Sequence, residues 1–282
     1  MRVLWILVLL LAALGGPGRP LLAQSAAEVV PYVPTQMHVV WEMLALGGVG
    51  GGDVLYDLGS GDGRIPITAA RHFGTRGVGF EIEPELIARS QAGAVAAGVD
   101  SLVDFLNRDL FTADLTPASV VTLYLSPEVN LELRPKLLRE LKPGTRVVSH
   151  AFHMRDWAPD SVVRVGQGFT QATLYLWVVP ARIDGLWQLV LETPRVEQWY
   201  VLDFEQRYQQ LAGEARQDGR RLGISQGKLT GEQLTFTLTE NAGGAAVTHR
   251  FTGQLVGGAL QGTVVSSGSQ TPYRWRAMRF AP

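Results

Sequence analysis

Residues 53–63 read Asp-Val-Leu-Tyr-Asp-Leu-Gly-Ser-Gly-Asp-Gly. The apolar run at 54–58 is typical of a buried parallel strand, and residues 64–72 continue with a helical pattern. Between them, Gly59, Gly61 and Gly63 let the backbone bend sharply and bring its amides close to a ligand, near the positive end of the following helix. The segment therefore predicts a strand, a ligand-binding turn and a helix, in that order.

A second acidic position strengthens this interpretation. Glu81 lies in the predicted strand 77–82, about 20 residues after the turn, which is the spacing at which an acid meets ribose hydroxyls in nucleotide-binding α/β folds. Glu83, two residues further on, is the alternative ribose ligand. Together, the turn and the acid predict a cofactor that contains a ribose.

The residues beside the turn indicate which cofactor this is. The dinucleotide pattern G-x-G-x-x-G needs glycine or alanine at position 64, where this chain has Arg64. Asp57 precedes the glycines, and an acid there suits a cofactor with an ammonium and a sulfonium better than one with phosphates. We therefore expect S-adenosylmethionine rather than a nicotinamide cofactor. The alternative is a glycine-rich turn that only connects a strand to a helix.

The composition limits the classes of function. Of the 282 residues, 46% are hydrophobic and 18% are charged, which is typical of a globular protein. The net charge is -1, so no overall positive field attracts the phosphates of nucleic acid, and we expect no nucleic-acid partner. The chain contains no cysteine, which excludes disulfides, thiolate zinc sites and cysteine nucleophiles.

Residues 1–27 have the pattern of a secretory signal peptide. Met1 and Arg2 give a positive start, residues 3–14 are apolar, and small residues follow up to Ala27. The apolar run is shorter than the roughly 18 residues that span a bilayer. We expect an exported protein in the periplasm or associated with the membrane or envelope; an uncleaved anchor at the cytosolic face is the alternative.

The rest of the chain divides into two predicted domains. Residues 28–181 alternate strands and helices, which indicates an α/β fold with a mainly parallel sheet covered on both faces. Seven strands are predicted, at 54–58, 77–82, 102–106, 119–125, 145–151, 161–165 and 173–179, and the last two form a hairpin. The first predicted helix, 36–46, has Thr35 as its candidate N-cap. Residues 182–282 change to strict alternation, which predicts a smaller all-β antiparallel meander or barrel that packs or binds a partner.

The predicted sheet brings several polar residues to one edge. Ligands of open α/β sheets lie beyond the carboxyl ends of the strands, where Asp109 and Tyr124 join Asp57 and Glu81. Asp109 is placed to accept a hydrogen bond from an adenine amino group; a cap or turn residue is the alternative. His150 begins an H-x-x-H pair, but the spacing fixes no further ligand nearby, so we predict no metal site.

At this point the sequence resembles a known family over roughly residues 30–160. The resemblance rests on Pro31-Tyr32-Val33-Pro34, on Asp57-Leu-Gly-Ser-Gly-Asp-Gly-Arg-Ile65, on Val78-Gly-Phe-Glu-Ile-Glu-Pro84 and on Arg146-Val-Val-Ser-His-Ala-Phe-His-Met-Arg-Asp-Trp157. The family is that of class I methyltransferases, and within it the mitochondrial lysine methyltransferases that modify the ADP/ATP translocase and the ATP synthase c subunit, with their bacterial relatives. The exported N-terminus and the all-β domain depart from the mitochondrial enzymes.

The resemblance implies a Rossmann-like sheet of seven strands that binds S-adenosylmethionine and serves methyl transfer to an amine, with a protein lysine as the acceptor. It also implies that Tyr32 and Thr35, before the first helix, help to close the cofactor pocket. Together with the turn and the strand ends, the expected cofactor-binding residues are Tyr32, Thr35, Asp57, Gly59, Ser60, Gly61, Gly63, Glu81, Ile82, Asp109 and Leu110.

The catalytic candidates follow from the chemistry of methyl transfer. The methyl donor is already activated, so such an enzyme mainly aligns a neutral nucleophile and excludes water. Tyr124-Leu-Ser-Pro127 replaces the Asn/Asp-Pro-Pro-aromatic segment that binds planar amino groups, so we expect Tyr124 to bind a flexible amine, or else to fill the core. His150 is either a proton acceptor for a lysine ammonium or a satisfied strand-end histidine. Asp156 and Trp157 are expected to flank the same mouth.

The leading hypothesis is therefore a methyltransferase that acts on a protein lysine. Two alternatives stay open. One is a small-molecule N- or O-methyltransferase, and the other is a non-catalytic envelope protein that keeps the fold and binds partners through its β domain.

Overall fold

The structure, a computed structural model, describes residues 32–194, 196–242, 245–269 and 271–280. The predicted signal peptide or anchor at residues 1–27, and Pro31 of the family motif, lie outside this part of the chain. Within it, no helix is both long and apolar enough to cross a bilayer.

The first domain alternates strands and helices in chain order. Its elements are α1 (Met37–Leu46), β1 (Val54–Leu58), α2 (Arg64–Phe73), β2 (Arg76–Glu81), α3 (Pro84–Ala97), β3 (Val103–Asn107), β4 (Val120–Leu123), α4 (Pro127–Glu140), β5 (Arg146–His150), β6 (Ser161–Val165) and β7 (Ala172–Val178). The strands form one sheet in the order β3-β2-β1-β4-β5-β7-β6. The first five strands pair in parallel, and β7 pairs antiparallel with both β5 and β6. The predicted seven-stranded Rossmann-like sheet is confirmed.

Alternate strand residues pack against opposite faces of the sheet. One buried cluster joins α1 and α2 to Leu55 and Val120, whereas another joins α4 to Leu123 and Val147. Because side chains on a strand point alternately to the two faces, both faces need a covering helix layer, and the helices supply it. The chain runs from β1 to β2 and β3 on one side and to β4 and β5 on the other, so the sheet has its switch point between β1 and β4.

The prediction of Thr35 as the first N-cap is wrong. Helix α1 begins at Met37, and Gln36 occupies the N-cap position without a side-chain hydrogen bond. Thr35 is 4% exposed, and its hydroxyl lies 3.3 Å from Nδ1 of His150, so a partner 115 residues away takes the group that a local cap would have used.

The second domain is a closed antiparallel barrel of eight strands. These are β8 (Gly185–Glu192), β9 (Gln198–Arg207), β10 (Gln210–Gln217), β11 (Arg220–Thr230), β12 (Gln233–Ala242), β13 (Ala245–Val256), β14 (Ala259–Ser266) and β15 (Tyr273–Arg279). Pairing of β15 with β8 closes it. Large side chains fill the interior, including Trp187, Phe204 and Trp275, none more than 2% exposed. The expected all-β domain is thus a barrel with a packed core.

Candidate active site

The glycine turn lies between β1 and α2, at the switch point of the sheet. Its three glycines have φ values of 81°, 54° and 75°, the left-handed region that side chains disfavour. The amides of Gly59 and Ser60 both donate to the carbonyl of Phe80 at 2.9 Å, which ties the turn to the end of β2. Two backbone hydrogen bonds therefore fix the start of the turn against the end of β2.

The three glycines face different neighbours. A Cβ at Gly59 would lie 2.7 Å from Leu125, and one at Gly63 would lie 2.5 Å from Phe105, so these two positions pack against the protein itself. A Cβ at Gly61 would clash with the ring of Tyr32. Gly61 is thus the position at which the turn meets the segment before α1.

A small polar network fixes that segment over the turn. Tyr32 is 41% exposed, and burial together with the charge of the nearby Asp62 raises the pKa of its hydroxyl. Arg64 binds Asp62 at 2.5 Å and donates to the carbonyl of Thr35 at 2.7 Å. Tyr32 and Thr35 therefore lie beside the turn, where a segment that closes over a cofactor must lie.

The side chain of Glu81 binds the turn at Gly61. Its carboxylate accepts from the amides of Gly61 at 2.9 Å, Ile82 at 2.8 Å and Glu83 at 3.1 Å. A carboxylate has about four acceptor positions, so Glu81 keeps capacity for one more donor, such as a ribose hydroxyl. Glu83, the alternative ribose ligand, is exposed, and Ile82 is 47% exposed beside Glu81.

Asp57 is the buried acid of the site. It is 3% exposed, and its carboxylate accepts from the hydroxyl of Thr122 at 2.7 Å. Burial, opposed by that hydrogen bond and reinforced by the negative charge of Glu81, raises the pKa of Asp57 to about 7. A positive group that binds next to Asp57 would favour its carboxylate form. The Ser60 hydroxyl is also buried and lacks a hydrogen-bond partner among the described residues.

Asp109 stands at the same edge of the sheet, just after β3. It is exposed, and its carboxylate accepts from the amide of Phe111 at 2.9 Å, which caps the short 3₁₀ helix Leu110–Thr112. Leu110 begins that helix and is half-buried. The capping role is the alternative that the sequence left open, and the adenine contact stays a prediction.

The opposite side of the edge is aromatic. The ring of Tyr124, which follows β4, stacks on His150 with centroids 3.9 Å apart, and Phe152 lies 6.3 Å from Tyr124 in a near-parallel orientation. Burial, with a smaller contribution from the charge of His38, lowers the pKa of His150 to about 4. At neutral pH this wall of Tyr124, His150 and Phe152 is therefore uncharged, and His150 is a weak base for a lysine ammonium.

The loop after β5 shapes that wall and is strained. Ala151 and Arg155 have φ values of 67° and 51°, a region that costs a non-glycine residue about 1–2 kcal/mol. Asn130 of α4, fully buried, donates to the Ser149 hydroxyl at 3.2 Å and to the Phe152 carbonyl at 3.3 Å. Asn130 and Phe152 were not predicted as site residues. The available signal for Asn130 was an asparagine in the helical segment between the fourth and fifth predicted strands.

Two expectations about this loop need correction. Trp157 is fully buried and stacks on Tyr208 of the barrel, so it does not flank the mouth of the site. Asp156 binds Arg134 of α4 together with barrel residues, and so it belongs to the contact between the domains. His153 is exposed and accepts from the amide of Arg155. Within the described ranges, no three potential metal-ligating side chains cluster.

The cradle suits S-adenosylmethionine in its chemistry. That cofactor carries an ammonium, a sulfonium and ribose hydroxyls, and the site offers a buried carboxylate at Asp57, a second at Glu81 and a turn without side chains at Gly61. The partly exposed ring of Tyr32 lies against the turn at Gly61.

Comparisons with known proteins agree with this geometry. The ANTKMT methyltransferase domain family matches residues 57–161. A protein-lysine N-methyltransferase of Saccharolobus islandicus is 46% identical over 151 residues, which are 53% of this chain and 94% of that protein. The chain belongs to this methyltransferase family. The resemblance seen in the sequence is thereby confirmed.

Two further relatives extend the comparison. The adenine nucleotide translocase lysine N-methyltransferase of Mus musculus is 37% identical over 147 residues. The matched region is 52% of this chain and 62% of the mouse protein. The crystal structure of an RNA methyltransferase from Salinibacter ruber, in complex with S-adenosyl-L-homocysteine, has 54% sequence identity and a TM-score of 0.51, and it covers 54% of this chain and 96% of its own. This methyltransferase is therefore an S-adenosylmethionine-dependent enzyme.

Proposed function

We propose that this methyltransferase transfers a methyl group to the ε-amine of a lysine in a protein. The observation that carries the proposal is the Tyr124–His150 stack, an uncharged aromatic wall at the carboxyl ends of β4 and β5. Lysine attacks only as the neutral amine, and burial beside uncharged rings lowers the pKa of an amine. The ring faces also suit the long aliphatic stem and the charged end of a lysine that enters from solvent. The names of two relatives support the same acceptor.

The roles of the residues follow from their positions. When bound, S-adenosylmethionine supplies an activated methyl group. Asp57 binds the amino group of the cofactor and Glu81 its ribose, while Tyr32 and Thr35 limit the access of water. Tyr124 orients the amine. Because His150 is neutral at physiological pH, it adds no positive charge that would repel a lysine before the lysine loses its proton to water.

RNA is the second candidate acceptor, since the Salinibacter relative is named an RNA methyltransferase. The charge of this chain favours lysine, because a net charge of -1 gives no general attraction for a polyanion. A small-molecule amine is the third. The barrel contacts the loop after β5, so removing residues 182–282 would disturb the site and would not separate these acceptors.

One assay separates the acceptors. The purified chain receives S-adenosylmethionine with a labelled methyl group, together with an extract of the native host divided into protein, RNA and small-molecule fractions. We expect label in protein, and mass spectrometry of peptides should place it on lysine. Gly61→Ala, which should weaken cofactor binding, serves as the control with reduced labelling. Label confined to RNA or to small molecules would contradict the proposal.

We further propose that the enzyme works outside the cytosol, on the basis of residues 1–27, and that it associates with the envelope, where its barrel binds a partner. Fractionation of the native host, with N-terminal sequencing of the recovered chain, tests this location. A chain that keeps Met1 and stays in the cytosolic fraction would contradict it.

A further inference from the structure

The barrel reaches the loop after β5 through the turn between β9 and β10. At this turn, the Tyr208 hydroxyl donates to Asp156 at 3.0 Å, and Arg207 binds the same carboxylate at 3.1 Å. The ring of Tyr208 stacks on Trp157 with centroids 6.0 Å apart. Gln209, buried at 5% exposure, donates to the carbonyl of Ala158. Three consecutive barrel residues thus bind three consecutive loop residues.

The catalytic domain holds the same loop from the other side. Arg134 of α4 donates to the carbonyl of Met154 at 2.9 Å and binds Asp156 at 2.5 Å. It also lies over the ring of Tyr208, 5.5 Å from its centroid. Bonds to Arg134, Arg207 and Tyr208 hold the pKa of Asp156 far below its ordinary value. Asp156 is therefore the point at which α4 and the barrel share the loop.

The loop needs such support because it contains backbone strain. Ala151 and Arg155, on either side of Phe152, both have left-handed φ values, and strained backbone persists only where the surroundings over-determine it. Phe152 belongs to the aromatic wall beside Tyr124. Asp156 lies four positions after Phe152 in the same loop. A contact that fixes Asp156 therefore also restricts the backbone that carries Phe152.

The barrel contact is an addition to the catalytic domain. The matched 151 residues already make up 94% of the Saccharolobus relative, so that protein has no room for a second domain of about one hundred residues. The family match at residues 57–161 likewise ends before β8. The Saccharolobus relative therefore positions the matching loop without such a barrel, whereas in this chain the barrel contacts the loop.

We infer that Tyr208, acting through Asp156, is a positioning residue that sets the acceptor wall of this methyltransferase. The inference rests on the proposed function, because it assigns the wall to the acceptor. The domains are also joined by contacts that do not involve Asp156. The amide of Ala181 donates to the carbonyl of Gly231 at 2.8 Å, and Lys228 pairs with Asp160 at 3.5 Å. Loss of the Tyr208 hydroxyl should therefore loosen the loop without separating the domains.

The test uses the full-length Tyr208→Phe variant, which removes the hydroxyl and keeps the ring between Trp157 and Arg134. We expect the acceptor KM to rise about five- to tenfold, because a hydrogen bond to a charged group is lost, while the Kd for S-adenosylmethionine stays within about twofold. Hydrogen exchange should become faster at the amides of Arg155 and Trp157, which bond within the loop. Tyr208→Phe should add little to Asp156→Asn, because the hydroxyl acts through that carboxylate.

Arg221→Gln is the matched control, since Arg221 is an exposed barrel residue whose ion pair with Glu214 lies within the barrel. It should change neither the acceptor KM nor the exchange of the loop. If Tyr208→Phe behaves like Arg221→Gln, or speeds exchange without changing the acceptor KM, the positioning role is wrong and the contact only joins two domains. The exchange measurement needs no acceptor, so it tests whether the barrel holds the loop in any case. If the protein methylates no lysine, that result refutes the proposed function and leaves the exchange result standing on its own.

Discussion

The two sides of the active site are built in different ways. On the cofactor side, the turn at 59–63 and Glu81 lie within about 25 residues of chain, and backbone amides make most of their bonds. On the acceptor side, Tyr124 and Phe152 meet through a loop that is held by α4 and by a barrel turn more than fifty residues away. The first side is a local motif, and the second exists only once distant parts of the chain have packed.

The largest expected difference between the two sides is in their response to pH. A rise of the pKa of Asp57 from its ordinary value of 3.8 to about 7 means that the folded protein holds a proton that the unfolded chain releases between these pH values. The stability from this group is complete below pH 4 and is lost as the pH rises to about 7. The loss corresponds to about 4 kcal/mol in the free energy of unfolding.

Asp57→Asn tests this value, because the amide keeps the acceptor for Thr122 and cannot ionise. Urea unfolding of both proteins from pH 4 to pH 8 should show the variant gaining stability relative to the wild type across that window. The low pKa of His150 affects both proteins alike and cancels in the difference. A difference that does not change with pH would mean that Asp57 is ionised in the folded enzyme.

Adding one methyl group at Gly61 should impair cofactor binding. In Gly61→Ala, the new Cβ would meet the ring of Tyr32 at a residue with a φ of 54°. Strain of about 1–3 kcal/mol should weaken the binding of S-adenosylmethionine by roughly tenfold to a hundredfold in calorimetry. Gly98→Ala is the matched control, because its φ of 68° imposes similar strain while nothing lies within 4 Å of its Cβ. Equal affinities in the two variants would show that Tyr32 does not close the pocket.

The acceptor side should respond to Tyr124→Ala. Loss of the ring removes the stack on His150, and aromatic pairs contribute about 0.5–1.5 kcal/mol beyond their buried area. The acceptor KM should therefore rise about tenfold in steady-state assays, while the Kd of the cofactor changes by less than about twofold. If Tyr124→Ala instead weakens cofactor binding, then Tyr124 contributes to the cofactor site, and the two sides are not separate.

This contrast explains what the sequence could predict. The alternation of strands and helices, the glycine turn and Glu81 follow from periodicity and short spacing. The inward-facing residues of the barrel, such as Trp187 and Phe236, follow from strand geometry. The partner of Thr35 and the place of Trp157 were mispredicted, because both are set by contacts with residues fifty or more positions away. No local pattern indicates which barrel turn will meet which loop.

The smallest expected effect comes from the bond that joins the two sides. Thr35 belongs to the segment over the cofactor turn, yet its hydroxyl meets His150 of the acceptor wall. Thr35→Val removes one buried hydrogen bond, worth about 1 kcal/mol, and should raise the acceptor KM by about threefold. Thr75→Val is the matched control, because the Thr75 hydroxyl is equally buried but donates to the carbonyl of Gly50. Both variants should lose similar stability in urea, and only Thr35→Val should change the acceptor KM. An equal effect of the two variants on KM would mean that the Thr35–His150 bond stabilises the fold and does not connect the two sides.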